Sequence, residues 1–180
     1  AKHVLPGIIQ TTSLLLLALS SSVLAESDGF DKSSRPSAGW VSTRTGGGQP
    51  RWTVEKNATA PSPPNVLKQS GVADFPLCIK DATNLKDGFV EVKFNAVSGK
   101  RDQAAGVVWR FQDNGNYYIC RANAIEGNVV LYKTELGVRK PLDIVGRRSG
   151  YGVKAPVARQ EWQTLRVDFH GDIFNVKLNG

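Results

Sequence analysis

The feature that most constrains this chain is a pair of alternating runs near its end, Leu165, Val167, Phe169 and then Phe174, Val176, Leu178, separated by Gly171-Asp172. Apolar residues two apart share one face of a strand, and Gly-Asp suits a tight hairpin turn, so the second run returns antiparallel beside the first. The same period appears earlier. Val90, Val92 and Phe94 share a face, with Glu91 and Lys93 on the other. Gly106 to Phe111, a turn at Asp113-Asn114-Gly115-Asn116, and Tyr117 to Asn123 make two antiparallel neighbours. A second turn near Glu126-Gly127 leads to Asn128 to Lys133, a strand that Glu135-Leu136-Gly137 closes. Arg51 to Glu55 alternates as a half-buried strand, and Trp40-Val41 reads as a short leading strand. Short β-prone runs at such spacing, with no helical period of comparable length and no repeat, predict an all-β antiparallel two-sheet sandwich.

The first residues set the compartment. Lys2 and His3 precede an apolar run from Leu14 through Leu19, and small or compact residues end at Val23-Leu24-Ala25. This reads as a secretory signal peptide over residues 1–25, too short in its apolar core to span a bilayer, with cleavage after Ala25. Export to the periplasm or beyond is expected, without stable membrane insertion after cleavage. Residues 26–39 read as a flexible linker, and residues 40–180 as one β-sandwich domain. Asn179-Gly180 is a dipeptide that normally opens a hairpin, so a partner strand is expected beyond it and the domain reads as truncated at its C-terminus.

Charge narrows the partners. The formal net charge of +7 falls by one when Lys2 leaves with the leader, and the basic residues are dispersed apart from Lys100-Arg101 and Arg147-Arg148. Nucleic-acid binding requires basic residues gathered on one face, so no nucleic-acid partner is expected. An anionic polysaccharide or cell-surface polymer fits that modest excess, and a soluble surface with basic loops is the simpler reading. Cys78 and Cys120 are the only cysteines. An oxidising compartment permits a disulfide between them, while their strand-like settings equally suit two small buried hydrophobes.

Several segments together carry a resemblance: Ser98-Gly99-Lys100-Arg101-Asp102-Gln103-Ala104-Ala105-Gly106-Val107-Val108-Trp109-Arg110, Asn116-Tyr117-Tyr118, Arg121-Ala122-Asn123-Ala124 and Asn128-Val129-Val130-Leu131-Tyr132-Lys133. The chain from Trp40 onward resembles bacterial exported domains of the concanavalin A-like lectin/glucanase superfamily, and among them the 3-keto-disaccharide hydrolase-like domains. The resemblance implies a jelly-roll sandwich, of the concanavalin A-like or laminin G-like kind, with a concave face and further C-terminal strands. Functions in such a superfamily run from glycan binding to glycoside hydrolysis and adhesion, so the fold does not choose among them.

The chemistry is sought in polar and aromatic residues. The paired carboxylates of the glucanase branch, Glu-x-Asp-x-(x)-Glu, are missing, since Glu91, Glu126, Glu135 and Glu161 each lack a carboxylate two residues away. Trp109, Tyr117, Arg121, Asn123 and Asn128 fall on adjacent predicted strands and form the expected ligand-binding set. Sugars stack their apolar ring face on aromatic side chains and offer hydroxyls to Asn, Glu and Arg. Alternation puts Tyr117, Ile119, Arg121 and Asn123 on one face. The competing reading makes Trp109 a sandwich-core aromatic, pairs Arg121 with Glu126 or Asp102, and gives Asn123 and Asn128 to turns. Glu126 is the one catalytic candidate, as a base acting on a 3-keto glycoside. Asp102 is the one metal candidate; calcium there would draw on Asp113, Asn114 and Asn116, while a strand cap is the simpler role, so no cofactor is required. The expected function is carbohydrate recognition; a hydrolase or lyase on 3-keto glycosides and an adhesive module without a small ligand are the alternatives.

Overall fold

The computed structural model of the chain describes residues 25–30, 39–81, 83–147 and 150–180. The proposed leader therefore lies outside the described residues except for Ala25. In chain order the strands are β1 (Trp40–Arg44), β2 (Gly48–Gln49), β3 (Trp52–Lys56), β4 (Asn65–Gln69), β5 (Val72–Ala73), β6 (Pro76–Lys80) and β7 (Gly88–Asn95). They continue with β8 (Ala104–Asp113), β9 (Asn116–Asn123), β10 (Asn128–Glu135), β11 (Val138–Pro141), β12 (Val153–Lys154), β13 (Trp162–His170) and β14 (Ile173–Leu178). Among the described residues no helix is long and apolar enough to cross a membrane.

Every pairing is antiparallel, as the sequence pattern requires. The two larger sheets run β11-β10-β9-β8, with β12 also on β10, and β14-β13-β7, while β1-β6, β2-β5 and β3-β4 form two-stranded ribbons. The hairpins at Gly171-Asp172 and at Asp113 to Asn116 form where expected. What local pattern does not give is the crossover: β7 pairs β13, placing Val92 opposite Leu165 and Val90 opposite Val167, although β8 is its neighbour in sequence.

The two sheets bury one core between them. Val107 and Trp109 of β8, Cys120 and Ala122 of β9 and Val129 of β10 pack with Phe94 of β7 and Leu165, Val167 and Phe169 of β13. Leu165 and Val167 are fully buried, each adding roughly 1.5–3 kcal/mol of transfer free energy. At the end of β8 a bulge shifts the register between Trp109 and Asp113, with Arg110 at a φ of 49°. The bulge turns Arg110 over the rings of Phe169 and Phe174, where it donates to the carbonyls of Lys86 at 3.1 Å and Gly171 at 2.6 Å. It thus clamps the rim of one sheet to the other.

A second cluster lies on the opposite face of β9 and β10. There the ribbon β1-β6 lays Leu77, with Ile79 beside it, on Tyr117, Ile119, Val130 and Tyr132. β9 is therefore buried on both sides over much of its length. Cys78 points away from this cluster, whereas Cys120 faces the core between the sheets, so β9 itself stands between the two sulfurs. Both thiols are free, and the permitted disulfide does not form.

The described part of the expected linker is tied down by several contacts. Trp40 Nε1 donates to Asp28 Oδ2 at 2.8 Å, Asn65 Nδ2 donates to the Phe30 carbonyl at 3.0 Å, and Lys80 meets Glu26 at 3.2 Å.

Candidate functional site

The turn between β9 and β10 is built by Asn123, which is fully buried. Its Oδ1 accepts from the backbone N–H of Ile125 at 2.9 Å and of Glu126 at 3.4 Å, and its Nδ2 donates to Asp102 Oδ1 at 2.6 Å. One side chain thereby sets the turn that delivers Glu126 and holds Asp102, just before β8, beside it. Asn128, opposite Asn123 in the register, donates from Nδ2 to Glu126 Oε2 at 3.0 Å.

Arg121 occupies the middle of this cluster. Its Nη1 and Nη2 donate to Glu126 Oε1 and Oε2 at 3.2 and 2.7 Å, and Nη2 also reaches Asn128 Oδ1 at 3.2 Å. Asp102 lies 3.9 Å from Nη1. The Arg121 Nε–H is buried without a partner among the described residues. Gly106 stands opposite Arg121 on β8 and leaves room where a Cβ would run into the Cys120 carbonyl. Tyr132 lies under the guanidinium, 5.8 Å from ring centroid to Arg121 Cζ, and its hydroxyl bonds that of Tyr151, which is 53% exposed. Tyr151 Oη also lies 3.5 Å from Arg121 Nη2.

The electrostatics follow from these contacts. The Arg121 hydrogen bonds hold the Glu126 carboxyl below its ordinary range, against the opposing effect of burial. Burial alone would lower the Arg121 pKa, and the bonds to Glu126 with the neighbouring groups outweigh it, so the guanidinium stays charged. Burial first, then the bond to Tyr151, pushes the Tyr132 phenol up. The result is a fixed guanidinium–carboxylate pair, a second and more exposed carboxylate at Asp102, and an exposed phenol ring beside them.

The sequence-derived set divides accordingly. Arg121, Asn123, Asn128, Glu126 and Asp102 come together. Trp109 does not join them: it is 5% exposed, stacked between Tyr118 and Phe169 at 5.7 and 6.0 Å, and its Nε1–H has no partner among the described residues. Tyr117 does share the face of Arg121, but β6 covers that half, and its hydroxyl is engaged by Thr45 at 2.5 Å and Arg139 at 3.2 Å. Neither ring offers a platform to a ligand. Asp102 stands at the opposite end of the 10-residue β8 from Asp113, about 30 Å away at the usual strand rise. Asp113 and Asn116 bond each other within their own turn, so those oxygens do not converge on Asp102. Among the described residues no three His, Cys, Asp or Glu side chains gather to hold a metal.

Sequence reasoning missed Tyr132 and Tyr151. Tyr151 reaches the cluster because β12 folds back onto β10, pairing Val153 with Val129, and Gly152 makes the approach with a φ of 65°. The triplet Gly150-Tyr151-Gly152 was the available signal. A separate shallow depression lies on the outer face of β7, β13 and β14, lined by Glu91, Thr164, Arg166 and Lys177, whose charges are paired among themselves through Asp168.

No protein-family model matches the chain, and no curated protein matches it. Among solved structures the fold is similar to that of the carbohydrate binding module CBM66 from Bacillus subtilis, with a TM-score of 0.54 and 18% identity over 78% of this chain and 74% of that one. At that identity the likeness is one of fold.

Proposed function

We propose that this domain is an exported carbohydrate-recognition module that binds glycan through the Arg121 cluster. The observation that carries the reading is the convergence of Arg121, Glu126, Asn128 and Asp102 beside the exposed ring of Tyr151. Carboxylates and amides accept and donate to sugar hydroxyls while an aromatic ring takes the apolar face, which is the donor and acceptor set a shallow glycan site needs. Fold likeness to a carbohydrate binding module supports it, as does the signal-like N-terminus, which fits a periplasmic or extracellular location.

The alternative, cleavage of 3-keto glycosides with Glu126 as base, is less well supported. A carboxylate stabilised by two guanidinium bonds is a weak base, and the guanidinium that would polarise the keto group is already paired. The test is a glycan array with a parallel 3-keto-disaccharide turnover assay, on the wild type and on Arg121→Ala. Binding that disappears in the variant, without turnover, is the expected result. Turnover abolished by Glu126→Gln would replace this reading with the enzymatic one.

A further inference from the structure

Resting on the carbohydrate reading of the same site, we infer that the Arg121 cluster selects neutral, hydroxyl-bearing glycans and rejects carboxylated ones, contrary to what the chain's positive charge implies.

The net +7 of the chain would draw a polyanion from a distance. Contact chemistry at the site points the other way. The Arg121 guanidinium is held two-pronged by Glu126 and again by Asn128, leaving no outward fork for an incoming carboxylate. Asp102 adds a second negative charge, 60% exposed at its side chain, whose Oδ1 is positioned by Asn123. The contact set of Arg121, Glu126 and Asp102 thus sums to one negative charge. The flanking cations stand outside this contact set: Arg147 donates to the Gly152 carbonyl at 3.3 Å, Lys154 lies exposed on β12 opposite Asn128, Lys100 and Arg101 are exposed on the approach to β8, and among the described residues only Arg121 pairs with Glu126 and Asp102. Hydroxyl groups, which donate to carboxylates, fit this surface; a uronate oxygen meets like charge, and the N–H of Arg121 that lacks a partner, at Nε, is buried.

The experiment takes each neutral glycan that binds and compares it, at physiological ionic strength, with the same glycan oxidised at its primary hydroxyls to carboxylates. The carboxylated form is expected to bind about tenfold more weakly, the order of one like charge at a solvent-facing site. Asp102→Asn, which keeps an oxygen to accept from Asn123, is expected to bring the two forms closer to parity. Equal or tighter binding of the carboxylated form, lost in Arg121→Ala, would overturn this selectivity while leaving the carbohydrate reading intact. A preference for the neutral form that Asp102→Asn leaves unchanged would also overturn it, since the loss would then be steric. Absence of binding to every glycan, neutral or acidic, would remove the carbohydrate reading and this inference with it.

Discussion

The Arg121 guanidinium and the Glu126 carboxylate meet as two parallel hydrogen bonds, 3.2 and 2.7 Å, that tie the interior of β9 to the turn leaving it. The geometry matters because the side chain of Arg121 is only 14% exposed whereas that of Glu126 is 38% exposed. A nearly buried cation is thereby compensated by a carboxylate that solvent still reaches. Truncating Glu126 would leave the guanidinium in poor solvent, so under the proposed function the pair would couple ligand recognition to the stability of the turn.

That coupling has a pH signature. Glu126 is held below its ordinary value of 4.5, first by its bond to Arg121. A carboxyl lowered in the folded state stabilises the fold fully above its unfolded value and loses that contribution as the pH falls through the lower folded value. Glu126→Gln should therefore lower the unfolding free energy at neutral pH by about 0.5–1 kcal/mol, allowing for the water around the carboxylate. The difference from wild type should shrink between neutral pH and a pH below 4.5, as the carboxylate is protonated through its lowered folded value. Denaturant unfolding of both proteins at the two pH values measures it; a gap that widens in acid would contradict the pairing.

Trp109 separates a core role from a ligand role. It stacks on Tyr118 and Phe169 and meets Phe174 edge-on at 5.3 Å, filling the space between the sheets. Trp109→Ala should cost about 3–5 kcal/mol of stability, as large aromatic truncations in cores do. Glycan affinity per folded molecule should stay unchanged, as titration at low temperature would record. A selective loss of affinity with stability intact would return Trp109 to the binding face.

How far the sequence could be read follows from which residues have local partners. The hairpins of β8-β9, β9-β10 and β13-β14 are contacts between neighbours in sequence, and their turns carry Asn, Asp and Gly in the expected places. Arg121 with Glu126 lies within the same reach, five residues apart. The pairing of β7 with β13 joins strands some seventy residues apart, and the covering of Tyr117 by Leu77 depends on where a whole ribbon docks. Alternation placed Tyr117 and Arg121 on one face correctly, but it carries no information on what lies over that face. Tyr151 was hidden for a related reason: only the β12-β10 pairing brings its loop to the cluster.

The two cysteines make a chemical prediction. Burial pushes the Cys120 thiol up to about 12 and the Cys78 thiol up to about 11, so neither forms much thiolate near neutral pH. An aromatic disulfide reagent should label Cys120 only after unfolding and Cys78 slowly in the folded protein. In denaturant without reductant, two thiols per chain should titrate. A count of zero in monomeric protein would mean that the strands rearrange enough to join sulfurs on opposite sides of β9.

Tyr151 tests whether the cluster takes a sugar ring or only hydroxyls. Its ring stands edge-on to Tyr132 at 6.1 Å, and its hydroxyl bonds Tyr132 and approaches Arg121. More than half of it faces solvent, so removing the ring should disturb the core little. Tyr151→Ala should weaken glycan binding about tenfold through the lost stacking surface, while Tyr151→Phe, keeping that surface, should lose only a few-fold. Gly152→Ala supplies an independent route to the same end. Its Cβ would fall 2.5 Å from the Val129 carbonyl oxygen at a φ of 65°, so the backbone must shift and carry Tyr151 away from Arg121. If the phenylalanine and alanine variants lose affinity equally, the hydroxyl and not the ring is what the ligand needs, and recognition rests on the hydrogen-bonding groups around Arg121 alone.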